Sequence, residues 1–393
     1  MFTITTKSAK GVMALLIACI VLNAAGAINA EEKKAAKEAK KAEPPKIQMA
    51  ILLDTSGSMR GLINQARSQL WQVVNEFANA KRGDQRPTLE VALYEYGHAS
   101  LGAESGFMRQ ILPLTDNLDK VSEELFQLTI GGSKEYCGQV IDKAARELKW
   151  SESNRDLKCI FVAGNETFTQ GPIDFREACK TSANKGVTVS TIFCGPRVEG
   201  VKTMWLEASK LADGSFMNID QNQKIVSIPA PQDKELIVLN AKLNTTYVAY
   251  GSTQERKKAK DRQVAQDANS AIAGQASNSA RIQFKGSRLY SNSGWDLCDA
   301  CRLGKIKLED LKEDQLPENL RKMSLKERKA YIDKKINERV AIQKEIKGLS
   351  DARNVFIAAE LKKQAVSSFK TLDAAIIDAV RVQGAAKAFK FDK

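Results

Sequence analysis

Three residues in one short stretch of this chain could together hold an ion. They are Asp54, Ser56 and Ser58, within IQMAILLDTSGSM at residues 47–59. An apolar run delivers one carboxylate and two hydroxyls into a tight turn that contains Gly57. Hard oxygens gathered at a strand's C-terminal end suit a small divalent cation, Mg²⁺ first, with Mn²⁺ and Ca²⁺ as alternatives. Asp and Ser are also ordinary turn residues, so the trio by itself reads equally well as a hydrogen-bonded turn.

Other groups with chemical capacity are few. The single histidine, His98, follows Tyr96-Gly97 at a strand end, the place of a solvated loop imidazole rather than a general base. The sequence has no G-x-S-x-G, P-loop or H-E-x-x-H motif, so no catalytic constellation emerges and no enzyme is expected. Cys298-Asp299-Ala300-Cys301 is a C-x-x-C that reads as a redox pair, half a zinc site or a local disulfide. Zinc would need two more ligands, and the chain has one His and no second C-x-x-C. The motif also follows Trp295-Asp296-Leu297 in a helical, Lys-rich region, which favours the local disulfide.

The elements that must position Asp54 alternate in type. Residues 61–81 carry apolar residues at helical spacing directly after the turn. LEVALYEYG (89–97) and FMRQILPLT (107–115) read as strands, and DNLDKVSEELFQL (116–128) as a helix capped by Asp116. Gly131-Gly132-Ser133 precedes a helix that includes Cys137. LKCIFVAG (157–164) and VTVSTIFCG (187–195) are nearly continuous apolar runs, as expected of strands buried on both faces. Helices separate them, and GSFMNID (214–220) is a last strand. This alternation predicts an α/β fold with a doubly wound, mostly parallel sheet flanked by helices. Ligands of such sheets sit beyond the C-terminal strand ends at a switch point, where Asp54 and the Gly131-Gly132-Ser133 loop both lie.

Over residues 47–222 this order, with its Asp-x-Ser-x-Ser turn, resembles a von Willebrand factor A domain. The strings ALYEYG, EYCGQVI, GNETFTQGP, STIFCGP and WDLCDA extend the resemblance to an uncharacterised group of secreted bacterial proteins carrying that domain. The resemblance implies a metal-ion-dependent adhesion site built from three loops. Asp54, Ser56 and Ser58 match the first loop, and Ser133 stands where the family usually has Thr. The third loop departs: Gly164-Asn165-Glu166 replaces the usual Asp-Gly, and there Asn165 offers an amide oxygen, the candidate ligand, and Glu166 a carboxylate.

The N-terminus addresses the chain to export. Lys7 and Lys10 precede an apolar run and then small residues, so residues 1–30 read as a cleaved signal peptide for the periplasm or cell envelope. An uncleaved anchor and a lipoprotein box at Cys19 are the rival readings. Residues 31–46 form a charged linker ending in Pro44-Pro45. Removing Cys19 with the signal leaves six cysteines, for which an oxidising compartment favours disulfides. A Cys137–Cys194 bridge is expected near the sheet's upper rim, beside the Cys298–Cys301 pair.

Residues 223–393 are expected to be mainly α-helical and hold most of the formal net charge of +13. Residues 324–364 predict one long amphipathic helix, or two broken near Gly348. A basic surface in the envelope suits peripheral contact with anionic membrane, whereas export and few aromatics argue against nucleic acid. Two functions follow. In one, the α/β domain presents a divalent cation to an acidic residue of a protein partner. In the other, a metal-free envelope component makes its contacts through the basic helical half.

Overall fold

The central strand explains the layers. In the computed structural model, which describes residues 43–223, 227–363 and 371–391, β1 (Lys46–Asp54) is buried at every position from Ile47 onward, and Lys46 at its start is half-buried. Successive side chains of a strand point to opposite faces. Ile47, Met49, Ile51 and Leu53 therefore join one core, while Ala50 and Leu52 join a second core on the other side.

Helix α1 (Arg60–Ala78) leaves the turn and covers the first face with Leu62, Ile63, Ala66, Leu70, Val73, Val74 and Phe77, the recurrence of an amphipathic helix. After the short β2 (Ala80–Arg82) come β3 (Thr88–Tyr96), β4 (Met108–Thr115), α2 (Leu118–Gln127) and α3 (Cys137–Glu147). Then follow β5 (Leu157–Gly164), α4 (Phe175–Asn184), β6 (Thr188–Cys194), α5 (Arg197–Lys202), α6 (Trp205–Leu211) and β7 (Phe216–Ile219). The six-stranded sheet has the order β4-β3-β1-β5-β6-β7. β1 pairs in parallel with β3 and β5, and only β4 runs antiparallel. The expected fold class holds, with the order reversing beside β1.

The helical segment comprises α7 (Asp233–Asn244), α8 (Thr253–Ile272), α9 (Gln275–Lys285), α10 (Leu297–Arg302), α11 (Glu318–Arg321), α12 (Leu325–Lys363) and α13 (Leu372–Ala386). Residues 45–393 form one compact unit, so these helices share the core of the sheet domain. Phe284 of α9 stacks on Trp71 at 5.2 Å between ring centroids, and Trp71 Nε1 donates to Ser270 Oγ at 3.0 Å. Leu372 and Asp373 donate their backbone N–H groups to Gln65 and Gln69, and Gln383 donates to Ser190 Oγ. The final strand β8 (Phe389–Phe391) pairs with β2. The long helix is unbroken at Gly348 and 39 residues long. Among the described residues no helix is long and apolar enough to cross a membrane. The expected signal peptide, Cys19 and most of the expected linker lie outside the described residues.

The disulfide expectations need correction, because all six cysteines from Cys137 to Cys301 are free thiols. Cys137 and Cys194 belong to cores on opposite faces of the sheet. Cys137 Sγ instead faces Tyr96 Oη at 3.7 Å. Cys298 lies in the first turn of α10, whose N-cap is Asp296, and turns inward to Thr246 O at 3.8 Å. Burial pushes its thiol up to about 12, the opposite of an activated redox cysteine.

The helical segment is fastened to the sheet domain by buried charge. Arg281 is fully buried and donates to Asp119 of α2 at 2.7 Å and to Asp267 of α8 at 2.6 Å. Lys285 donates to Asp267 at 2.8 Å, and Tyr290 Oη to Asp119 at 2.8 Å. Removing one member strands the others without partners in a dry site. Arg281→Ala should cost about 3–5 kcal/mol. Urea unfolding followed by both tryptophan fluorescence and circular dichroism should show one coincident, shifted transition, since both halves share the core.

Candidate metal centre

Asp54 is the last residue of β1 and is wholly buried. Its Oδ1 accepts the Ser56 N–H at 2.7 Å, closing the turn through its own side chain. Thr55 N donates to Tyr96 O at 2.8 Å, so the first loop leaves the sheet still tied to β3. Ser56 Oγ and Ser58 Oγ are 3.3 Å apart, and Ser58 Oγ lies 3.4 Å from Asn165 Oδ1. Three of the sequence-predicted residues thus converge with Asn165. The second loop docks on the first: Gly57 N donates to Gly132 O at 3.2 Å and Gly131 N to Thr55 O at 2.9 Å. Ser133 follows on the exposed rim, and among the described residues no hydrogen bond joins it to Asp54, Ser56 or Ser58.

Two glycines are required by close approach. Gly97 has φ +89°, and a Cβ there would meet Asp54 Oδ1 at 2.7 Å, Glu135 Cγ at 3.2 Å and Ser56 N at 3.4 Å. At Gly164, a Cβ would lie 2.6 Å from Tyr96 Oη and 3.0 Å from Asp54 Oδ2. The third loop is therefore bare at this point because the Tyr96 hydroxyl, which donates to Ala163 O at 3.0 Å, occupies the space. Gly164→Ala should destabilise the protein by about 1–3 kcal/mol as an overpacked position. The penalty should shrink in a Tyr96→Phe background, and a double-mutant cycle of melting midpoints checks the coupling.

The sequence reading missed Glu135. It is 2% exposed, and its Oε2 accepts from Gln170 Nε2 at 3.2 Å while its N–H donates to Gln170 Oε1 at 3.3 Å. The available signal was its place two residues beyond Ser133, on the loop that docks against Gly57. His98 is a structural connector, with Nδ1 2.7 Å from Ser100 Oγ and Nε2 3.2 Å from Thr129 Oγ1.

Electrostatically the site is short of positive charge. Burial above all, then the carboxylates of Glu135 and Glu166, raises Asp54 to about 7, against the opposing effect of its bonds from Ser56. Asp54 Oδ2 is buried with no hydrogen-bond partner among the described residues. An oxygen left in this condition fits a cation, as do the neighbouring hydroxyl and amide oxygens. No three His, Cys, Asp or Glu side chains among the described residues are grouped to hold a metal. An ion here would rest on one or two carboxylates with neutral oxygens and water, a set suited to Mg²⁺ or Mn²⁺ rather than to thiolate-seeking metals.

Burial makes Asp54 a weaker acid in the folded protein than in the unfolded chain. The native state holds its proton more tightly than the unfolded chain between about pH 4 and 7, so without metal Asp54's contribution declines as pH rises through that window. In chelator, Asp54→Asn should gain on the wild type by on the order of 4 kcal/mol between pH 4 and pH 8. Parallel urea titrations across that range measure the difference.

Comparison with known proteins agrees with this architecture. Residues 48–227 match the family model of the von Willebrand factor type A domain. No curated protein matches the chain. Among solved structures, the conserved hypothetical protein BatB from Bacteroides thetaiotaomicron is 19% identical, over 44% of this chain and 90% of that one, with a TM-score of 0.34. A von Willebrand factor type A protein from Catenulispora acidiphila is 16% identical over 44% and 39% of the two chains, with a TM-score of 0.33. Proximal thread matrix protein 1 from the mussel byssus, solved with a zinc-occupied MIDAS motif, is 14% identical over 44% and 42%, with a TM-score of 0.32.

Proposed function

Residues 48–227 are a von Willebrand factor type A domain, and from that premise we propose that the protein binds a protein partner through a divalent cation seated on Asp54. Such domains commonly mediate protein–protein interaction. The unpaired, buried Asp54 Oδ2 is the observation that carries the reading. Ser56, Ser58 and Asn165 are the neutral donors that would hold the ion, with Ser133 at the rim. When bound, the ion supplies a positive charge and an open coordination position for an acidic side chain of the partner.

The chain's own residues prepare this contact. Asp54 is fixed by Ser56 N, so its second oxygen is presented without a search through rotamers. The Gly57–Gly132 bond locks the first two loops together, which keeps the hydroxyls in place before anything binds. We place the protein in the periplasm or cell envelope on the signal-like residues 1–30, and we assign it no catalytic role. Mg²⁺ is the cation we favour, on the hardness of the donors.

A second reading is a metal-free envelope component that makes contact through its basic helical half. Gly164 favours it, because the third loop contributes no carboxylate there.

Thermal melting of the full chain after chelation, with Mg²⁺, Mn²⁺ or Ca²⁺ added back, separates the two. Binding to the native state alone raises the midpoint with occupancy. We expect a rise in wild type that disappears in Asp54→Ala, and metal-dependent capture of acidic peptides by wild type only. No rise at millimolar metal assigns the protein to the second reading.

A further inference from the structure

A divalent cation facing Asp54 alone, with hydroxyls and an amide, would keep a net positive charge inside a largely buried pocket. A second negative group at the same point removes that imbalance. Gly164 cannot supply it, because the Tyr96 hydroxyl and Asp54 itself leave no room for a side chain. Glu166 is exposed, so its field reaches the site through water. Glu135 is buried and lies beside the pocket: the point that a Cβ on Gly97 would occupy is within 3.4 Å of Asp54 Oδ1, Ser56 N and Glu135 Cγ.

Glu135 is also held in a way that a solvated acid is not. Gln170 grips it twice, through the backbone N–H and through Oε2. Ser56 lies beside both acids: its N–H donates to Asp54 Oδ1 at 2.7 Å, and the point next to Gly97 is within 3.4 Å of Ser56 N and Glu135 Cγ alike. Two buried carboxylates flanking one point repel each other unless a cation or a proton intervenes. The unpartnered Asp54 Oδ2 is the independent sign that a cation belongs there.

We propose that Glu135 is the second carboxylate of the cation seat, aimed by Gln170, so that the ion meets two negative charges from the protein rather than one. The proposal rests on the cation-binding reading above and adds a ligand from the second loop. Gln170 is a positioning residue, in the manner of partners that orient metal-binding carboxylates.

The test is Mn²⁺ affinity of the full chain, by thermal-shift titration after chelation and by electron paramagnetic resonance of free Mn²⁺. Wild type, Glu135→Gln, Glu166→Gln and Gln170→Leu are compared. Glu135→Gln should weaken Mn²⁺ at least tenfold, while its melting midpoint in chelator stays at or above that of wild type, since a repulsion is removed. Gln170→Leu should weaken Mn²⁺ by roughly tenfold, the low end of the range for outer partners, and Glu166→Gln by less. Wild-type affinity in Glu135→Gln, or the large loss appearing in Glu166→Gln instead, overturns the proposal. So does a Glu135→Gln protein that melts far below wild type in chelator while Gln170→Leu binds Mn²⁺ normally, which assigns Glu135 to loop folding. If wild type itself gives no Mn²⁺ response, the cation-binding reading fails and this proposal with it; a response lost in Asp54→Ala but kept in Glu135→Gln refutes this proposal alone.

Discussion

The constraint around which this domain is arranged is a carboxylate at the end of a strand covered on both faces. β1 is covered on both faces, and Asp54 inherits that burial at the point where the strand meets the loops. One oxygen is satisfied by Ser56 N, and the other has no partner among the described residues. Burying a charge without a partner is costly, and proteins ordinarily avoid it by pairing, protonation or a bound ion. Every loop at this end is shaped to the carboxylate: Gly97 and Gly164 withdraw their side chains, and the second loop locks onto the first.

Much of this was legible because it is local. The unbroken apolar run before Asp54 announces a strand with two covered faces, and Ile47, Met49, Ala50 and Leu52 do divide between two cores. The Asp-x-Ser-x-Ser spacing places three oxygens on one turn whatever surrounds it. Glu135 was hidden for the opposite reason. Its place two residues past Ser133 was visible, but its burial was not, because that involves Gln170, 35 residues away. The bareness of Gly164 was visible, but its cause was not, because Tyr96 reaches it from β3, on the far side of β1.

The helical half shows the same limit in its packing. Ile332, Arg339, Ile346 and Arg353 are all buried on α12 at a seven-residue spacing, yet two of the four are arginines. An apolar pattern search discounts such a stripe. Arg339 is buried because Asp296 and Thr246 satisfy it, and Arg353 because Asp233 does. The cysteines misled for a related reason. Export favours disulfides in general, but geometry decides each one, and Cys137 and Cys194 are separated by the sheet.

The arrangement also bears on how the two halves can serve one function. Arg281 joins α9 to Asp119 on α2, and α13 lies along α1, the helix that begins directly after the Ser58 turn. The helical half is therefore part of the scaffold that holds α1, and through α1 the first loop, in place. The proposed presentation of an ion to a partner would need rigid support beneath the ligands, because any sag in the loops loosens all of them together. In this chain that support comes from buried ion pairs and a terminal strand that clasps β2, which makes the C-terminal helices a structural requirement of the site on the opposite end of α1.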